Sequence, residues 1–293
     1  GNTIVAQGFK IKNSTFTYGG SYAISLNTGN SSSSATGLEI SGNTFTNTYN
    51  GIYLQYYDGV TIRGNTIKGS YMYDYGLYLN YCDGANVIED NTIYAPDLTN
   101  GIYLYYCQAT SGNEATIANN LIRVEDNGIY MNYYNYYQNV YFNTVQVRDN
   151  NPFYSYYYNT NITLKDNIFS TAASTYAMNF YMTSVIVSDY NDLFTSYFYQ
   201  VYNNGSYSLA TWEAAGYDSN SVIIDPLFDT DSTLVPTSYI LDNKGTPIAG
   251  ITDDMYGNSR SGDTPDMGAI EFTVAGSYLT GSYTIGSGGD YDS

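Results

Sequence analysis

Histidine is absent from the 293-residue chain, and positive charge is scarce: nine lysines and arginines stand against 27 carboxylates, a formal net charge of −18. Nucleic acid is therefore not an expected partner, because phosphate binding needs lysine and arginine in number. An anionic membrane surface is disfavoured for the same reason. No apolar run approaches the length of a membrane span, so direct insertion is not expected either. There is one tryptophan, there are two cysteines, and the prolines number six. No signal-peptide pattern opens the chain. It opens in mid-repeat, since Gly8–Phe16 already reads as a strand and turn, and this predicts a segment of a longer protein.

What the chain has instead is repetition. The stretch GIYLQYYDGVTIRGNTIK at Gly51–Lys68 returns with openings at Gly76, Gly101 and Gly128. Self-similarity at about two dozen residues marks a solenoid. In GIYL, Ile52 and Leu54 share one face and Tyr53 takes the other, because strand side chains alternate. Val60 and Ile62 point inward around Thr61 in the same way. Apolar spacing of the helical kind is missing. Asp58-Gly59 and Gly64-Asn65 are turn dipeptides. Strand, turn, strand, turn with one inward face predicts the coil of a parallel β-helix, about eight coils over residues 1–228. A turn column reads Ser14, Asn43, Asn65, Asn91, Asn120, Asn143, Asn167 and Asn191, at gaps of 22 to 29 residues. Asparagine tolerates a left-handed backbone at such turns, and stacked amides can bond from coil to coil.

Along the chain, Asn27–Thr36 reads as a mobile polar excursion. Met72–Tyr75, Pro96–Asn100 and Tyr134–Gln138 read as corner insertions. Ser208 caps a short predicted helix near 208–215, stopped by Gly216, with Leu209 and Trp212 packing on the last coils. Val222–Phe228 predicts one more strand, ended by Pro226. Residues 229–272 hold three of the six prolines and predict an extended closing segment along or over the end of the stack. Residues 273–293 read as a linker and the start of a following β-helix.

Cys82 and Cys107 occupy equivalent places 25 residues apart, one coil. Stacked strands bring their Cα atoms to about 4.8 Å, within disulfide range, while parallel Cβ vectors make an easy bridge difficult. A disulfide and a pair of stacked core thiols both stay open. Asp58 and Asp83 stack at successive DG turns, where two carboxylates could share a calcium ion or each cap its own turn. Asp253, Asp254, Asp263 and Asp266 are a similar calcium guess, and GSGGDYDS at the end faintly echoes a calcium-binding repeat. No other cofactor is expected.

The coil motif from Gly8 to Phe194 resembles the right-handed parallel β-helix proteins of bacteria, the superfamily that includes pectate lyases. SLATWEAAGYDSNSVIIDPLF at Ser208–Phe228 looks like their terminal coil. GITDDMYGNSRSGDTPDMGAIEF at Gly250–Phe272 looks like their closing motif. With GSYTIGSGGDYDS resembling the opening of another β-helix, the resemblance implies one module of a tandem surface protein. Such proteins of Bacteroidota are exported by the type IX pathway and include adhesins of gliding species. An extracellular or cell-surface location and neighbouring tandem domains as partners follow from that resemblance.

Members of that superfamily also cleave polysaccharide, so a polysaccharide lyase is the competing class. The histidine-dependent pattern of polygalacturonase-like enzymes fails here. Lyase-like members use a lysine or arginine base, often with calcium. Arg63 and Lys165 share an outward column with Glu89 between them, but they lie four coils apart, about 19 Å. No catalytic residue is nominated.

The chain has 38 tyrosines. The outward position of the GIYL strand reads Ser25, Tyr53, Tyr78, Tyr103, Tyr130, Tyr154 and Asn179. A second column reads Tyr56, Tyr81, Tyr106, Tyr133 and Tyr157. The first is predicted as an exposed, uncharged strip suited to a glycan or a protein surface. The bland alternative is a ladder that only stiffens the stack.

Overall fold

The structure, a computed structural model, describes residues 7–29 and 34–274. It is a right-handed parallel β-helix of about seven full turns. Three sheets wrap one core, two of eight strands and one of nine. The first sheet carries the VTI-type segments, from Lys10–Lys12 through Thr61–Arg63 to Ser184–Asp189. The third carries the GIYL segments, from Ile24–Asn27 to Met178–Tyr181, and ends in a small antiparallel pair. Between them lies a sheet the sequence reading had folded into its turns: the triplets after the asparagine, such as Thr66–Lys68 and Thr92–Tyr94, pair as strands of their own. Alternation explains the core in all three, with Ile52, Leu54, Ile62 and Ile67 fully buried.

The asparagine column stands as the repeat predicts. From Asn43 to Asn167 each side-chain amide donates to the next asparagine's Oδ1 at 2.9–3.0 Å, and so does each backbone N–H at 3.0–3.1 Å. One expectation is corrected. The left-handed residue is the one before each ladder asparagine, at Asn13, Gly42, Gly64, Asp90, Asn119, Phe142, Asp166 and Tyr190. The asparagine itself turns inward to fasten the corner. A second, shorter amide column went unread: Asn135 donates to Asn159 Oδ1 at 3.0 Å, and both are fully buried at the opposite corner.

Coil entry depends on close approach. A Cβ at Gly101 would lie 2.6 Å from the Gly128 carbonyl oxygen and 2.6 Å from Ile122 Cγ2. Gly101→Ala is therefore expected to cost about 1–3 kcal/mol, the usual penalty of overpacking. Gly20→Ala, where a Cβ meets open space, should leave the denaturation midpoint unchanged. Equal midpoints for the two variants would contradict this reading.

The helix is Leu209–Ala214, capped by Ser208. Trp212 is 1% exposed, stacks on Tyr217 at 4.1 Å and donates from Nε1 to Asp218 at 2.7 Å. Several local expectations change. Val222–Phe228 is not a strand: it makes a single bridge, Asp192 to Val222. Tyr75, Asn100 and Tyr136–Gln138 belong to strands rather than insertions. Within Asn27–Thr36, Asn27 ends one strand and Ala35–Thr36 pairs with Tyr57–Asp58. The closing segment runs along the flank. Leu234, Leu241, Met267, Ala269, Ile270 and Phe272 pack against Leu121 and Ile168 of the second sheet in a separate apolar cluster. The start of the following β-helix expected from Gly281 lies outside the described residues.

Candidate functional site: the tyrosine columns

The first column holds its predicted register, Ser25 to Tyr53, Tyr78, Tyr103, Tyr130, Tyr154 and Asn179 in successive strands. Its exposure is where expectation and structure part. Tyr103 is 8% exposed, and the other four are half-buried. Tyr75 packs against both Tyr78 and Tyr103 at 4.8 and 5.0 Å, and Tyr22 against Tyr53 at 5.2 Å. The rings alternate edge to face rather than forming a flat surface: interplanar angles are 70°, 90° and 86° down to Tyr130. Hydroxyls are used internally as well. Asn80 Nδ2 donates to the Tyr53 hydroxyl at 3.1 Å and Asn132 Nδ2 to the Tyr103 hydroxyl at 2.6 Å. Burial pushes Tyr75 and Tyr154 up to about 12 and also raises Tyr78, Tyr103 and Tyr130. The strip is thus uncharged, half-covered and internally bonded.

The second column is the flatter one. Tyr56, Tyr81, Tyr106, Tyr133 and Tyr157 stand at the corner after the GIYL strand, each with a left-handed backbone at φ between 51° and 62°. Their centroids follow at 5.6, 4.8, 6.1 and 5.0 Å, and from Tyr81 onward the ring planes lie within 21° of parallel. Beside the stack, Tyr105 and Tyr156 stand nearly edge-on to it. A non-glycine residue held in this region costs on the order of 1–3 kcal/mol, partly offset by stacking worth about 0.5–1.5 kcal/mol per pair. Glycine would remove that cost, yet each of these five coils carries a ring here.

The remaining candidates have structural duties. Asp58 Oδ1 accepts the Asp83 N–H at 3.3 Å, and Asp83 Oδ1 the Gln108 N–H at 2.8 Å, so each carboxylate faces the next coil's backbone. Asp254 takes the N–H groups of Tyr256, Asn258 and Glu271, and Asp266 those of Asn243 and Phe272. Cys82 and Cys107 are buried and unbridged. Their Sγ atoms donate to the Leu54 and Leu79 carbonyls at 3.6 and 3.5 Å. Arg63, Glu89 and Lys165 do share a column, but Ala118 and Tyr141 separate the last two. Arg63 pairs with Asp90 at 2.8 Å beside a 190 Å³ cleft under Thr252–Met255, and burial raises Glu89 there. No second cation reaches that cleft's lining.

A family model described as periplasmic copper-binding protein (NosD) matches residues 1–226. No curated protein and no solved structure matches the chain. Copper sites take imidazole, thiolate and thioether ligands. Here histidine is missing, and burial pushes the Cys82 thiol up to about 12 and Cys107 well above its ordinary value. Met72, Met131, Met178 and Met267 are core side chains without exposed surface, and the more exposed Met182 and Met255 line different concavities. Among the described residues no group of three or more histidine, cysteine or acidic side chains could hold a metal ion. These residues do not fit a copper site, and no step is drawn through that metal.

Proposed function

The chain belongs to the NosD family, and from that membership together with the tyrosine corner we propose a non-enzymatic, exported module. It works as a stiff binding rod within a longer envelope or surface protein. The corner stack is its contact face toward a glycan or a neighbouring protein, with the half-buried column of Tyr53, Tyr78, Tyr103, Tyr130 and Tyr154 as its backing. One observation carries the reading: five coils in succession hold an aromatic ring at a left-handed backbone position that disfavours a bulky side chain. Aromatic rings with a free hydroxyl combine an apolar face and a polar rim, which suits sugars and protein surfaces alike. Adhesion and a cell-surface location belong to this proposal. The periplasmic description is the family's, and no helix among the described residues is long and apolar enough to cross a membrane.

The test is the combined replacement of Tyr81, Tyr106 and Tyr133 by serine. Retention on glycan-coated or cell-envelope surfaces is expected to fall at least about tenfold, with the melting temperature held within a few degrees. If stability collapses and retention per folded molecule stays the same, the stack is structural and the reading fails. Incubation of the intact protein with uronate polymers and calcium tests the competing class. A rise in unsaturated-product absorbance would assign it to the lyases.

A further inference from the structure

The last three strands of the first sheet, Tyr136–Tyr141, Thr160–Lys165 and Ser184–Asp189, carry a feature that the five before them lack. Their second residues, Tyr137, Asn161 and Val185, are left-handed at φ 54°, 56° and 52°. Strand pairing skips them: Tyr136, Thr160 and Ser184 are in register, and then Gln138, Ile162 and Ile186. A β-branched valine in this region is a steric outlier, and such strain persists only where the surrounding structure imposes it.

The repeated kink has a concavity on each side. One, of 310 Å³, is lined by Tyr137, Asn139, Asn161, Thr163, Val185 and Val187, with Glu114 among its walls. The other, of 600 Å³, is lined by Tyr134, Tyr158, Thr160, Met182, Ser184 and Asn204. Both volumes fall in the range of small-molecule sites. Val185 is 62% exposed and Val187 49%, so apolar surface is open to a ligand. Tyr134 and Tyr158 stack at 5.2 Å and 24° at the second concavity.

We propose that these two concavities form one trough that binds an uncharged glycan. The proposal rests on reading the chain as a binding rod, and it names the ligand class on residues that lie off the five-ring corner column. Tyrosine rings and valines supply apolar contact for the C–H face of a sugar, and Asn139, Asn161, Thr163 and Asn204 supply donors and acceptors for its hydroxyls. No cation lines either concavity. With a formal net charge of −18, the chain repels uronate polymers at a distance, so an uncharged glycan is the complementary choice. Two strand spacings make the trough about 10 Å wide, enough for a short oligosaccharide.

Affinity electrophoresis tests the proposal in native gels containing xylan, mannan, dextran or a mixed-linkage glucan, with polygalacturonate as the anionic comparison. Retardation is expected in at least one neutral gel and not in polygalacturonate. The double variant Tyr137→Gly, Val185→Gly removes two lining side chains and relieves the backbone. Its melting temperature should hold or rise, while affinity falls about tenfold or more. Tyr71→Ser with Tyr239→Ser, exposed tyrosines outside the lining of either concavity, should leave the retardation intact, and the corner variant with Tyr81, Tyr106 and Tyr133 replaced by serine is run beside them. The trough is overturned if no neutral gel retards the protein, or if the glycine variant binds as tightly as the parent. It is also overturned if only the corner variant loses binding, a result that would support the corner stack instead.

Discussion

Asn120→Ala is expected to lower the unfolding free energy by about 3–5 kcal/mol, the sum of four buried hydrogen bonds lost, one of which leaves a buried backbone N–H without a partner. Asn120 sits in the middle of the amide column. Its Oδ1 accepts from both the backbone and the side chain of Asn91, at 3.1 and 3.0 Å. Its Nδ2 donates to the Ile88 carbonyl at 2.8 Å and to Asn143 at 2.9 Å. Alanine leaves the Asn91 N–H without a partner and takes one bond each from Asn91 Nδ2, the Ile88 carbonyl and Asn143 Oδ1, inside a corner where Asn91, Asn120 and Asn143 have no exposed surface. Denaturant titration followed by tyrosine fluorescence reads the effect. Asn43→Ala, nearer the open end, should cost less, because its upstream partner is only the Ser14 N–H and the Ile11 carbonyl. A loss below about 1 kcal/mol for Asn120→Ala would mean the column is dispensable.

Acidity should stabilise the flank on which the closing segment lies. Burial raises Asp166 and Asp266 to about 7, against the opposing pull of the Thr246 N–H on Asp166 and of the Asn243 and Phe272 N–H groups on Asp266. Arg260 and Lys165 also lower Asp166, while Asp189 raises it. Glu271 and Asp242 raise Asp266 further. An unfolded aspartate titrates near 4. Between about pH 4 and 7 the folded chain therefore binds more protons than the unfolded one, and stability must fall as pH rises through that window. The protonated contribution is complete below pH 4 and gone above about 8. A shift of this size is on the order of 4 kcal/mol per group at its upper limit. Melting temperatures across pH 4–8 should thus decline steeply toward neutrality. Asp166→Asn keeps an acceptor for Thr246 and should flatten the slope, with Asp266 and the likewise raised Asp192 and Asp218 carrying the remainder. A profile that rises toward neutral pH, or an unchanged slope in Asp166→Asn, would contradict the assignment.

How much of this was legible depends on which physical constraint each residue answers to. The amide column was readable because a buried corner must satisfy its backbone groups, and asparagine repeated at that place coil after coil. The register of the GIYL column was readable because alternation fixes the side on which Tyr53 and its successors lie. Alternation does not fix cover. Tyr103 is shielded by rings such as Tyr75 in another column, which only three-dimensional stacking places beside it. The triplets after each asparagine follow directly on a turn and read as its continuation, although they are as long as the VTI strands of the first sheet. Left-handed positions held by aromatic or β-branched residues, such as Tyr56 and Val185, carry no local mark. They show tertiary context overriding the residue's own preference. The flank docking left one trace: Leu121 and Ile168 are apolar on an outward face, and Ile168–Thr171 is buried at every residue.

The amide column also has a polarity. From Asn43 to Asn167 every side-chain carbonyl accepts from the previous coil, while each amide donates forward to the next asparagine and back to a carbonyl of the previous coil, so the carbonyl dipoles add along the rod axis, much as peptide dipoles do along a helix. The positive end falls at Asn191, whose amide donates to Asp218 Oδ1 at 3.1 Å and whose backbone N–H donates to Ser221 Oγ at 2.8 Å. A carboxyl group thus terminates the end that favours negative charge. The Ser14 N–H, which donates into Asn43, lies at the opposite end. Growth of such a rod is consequently vectorial. A further coil continues the column only if it offers an acceptor to donors or donors to an acceptor in the same sense. Two rods meeting head to head would oppose like poles.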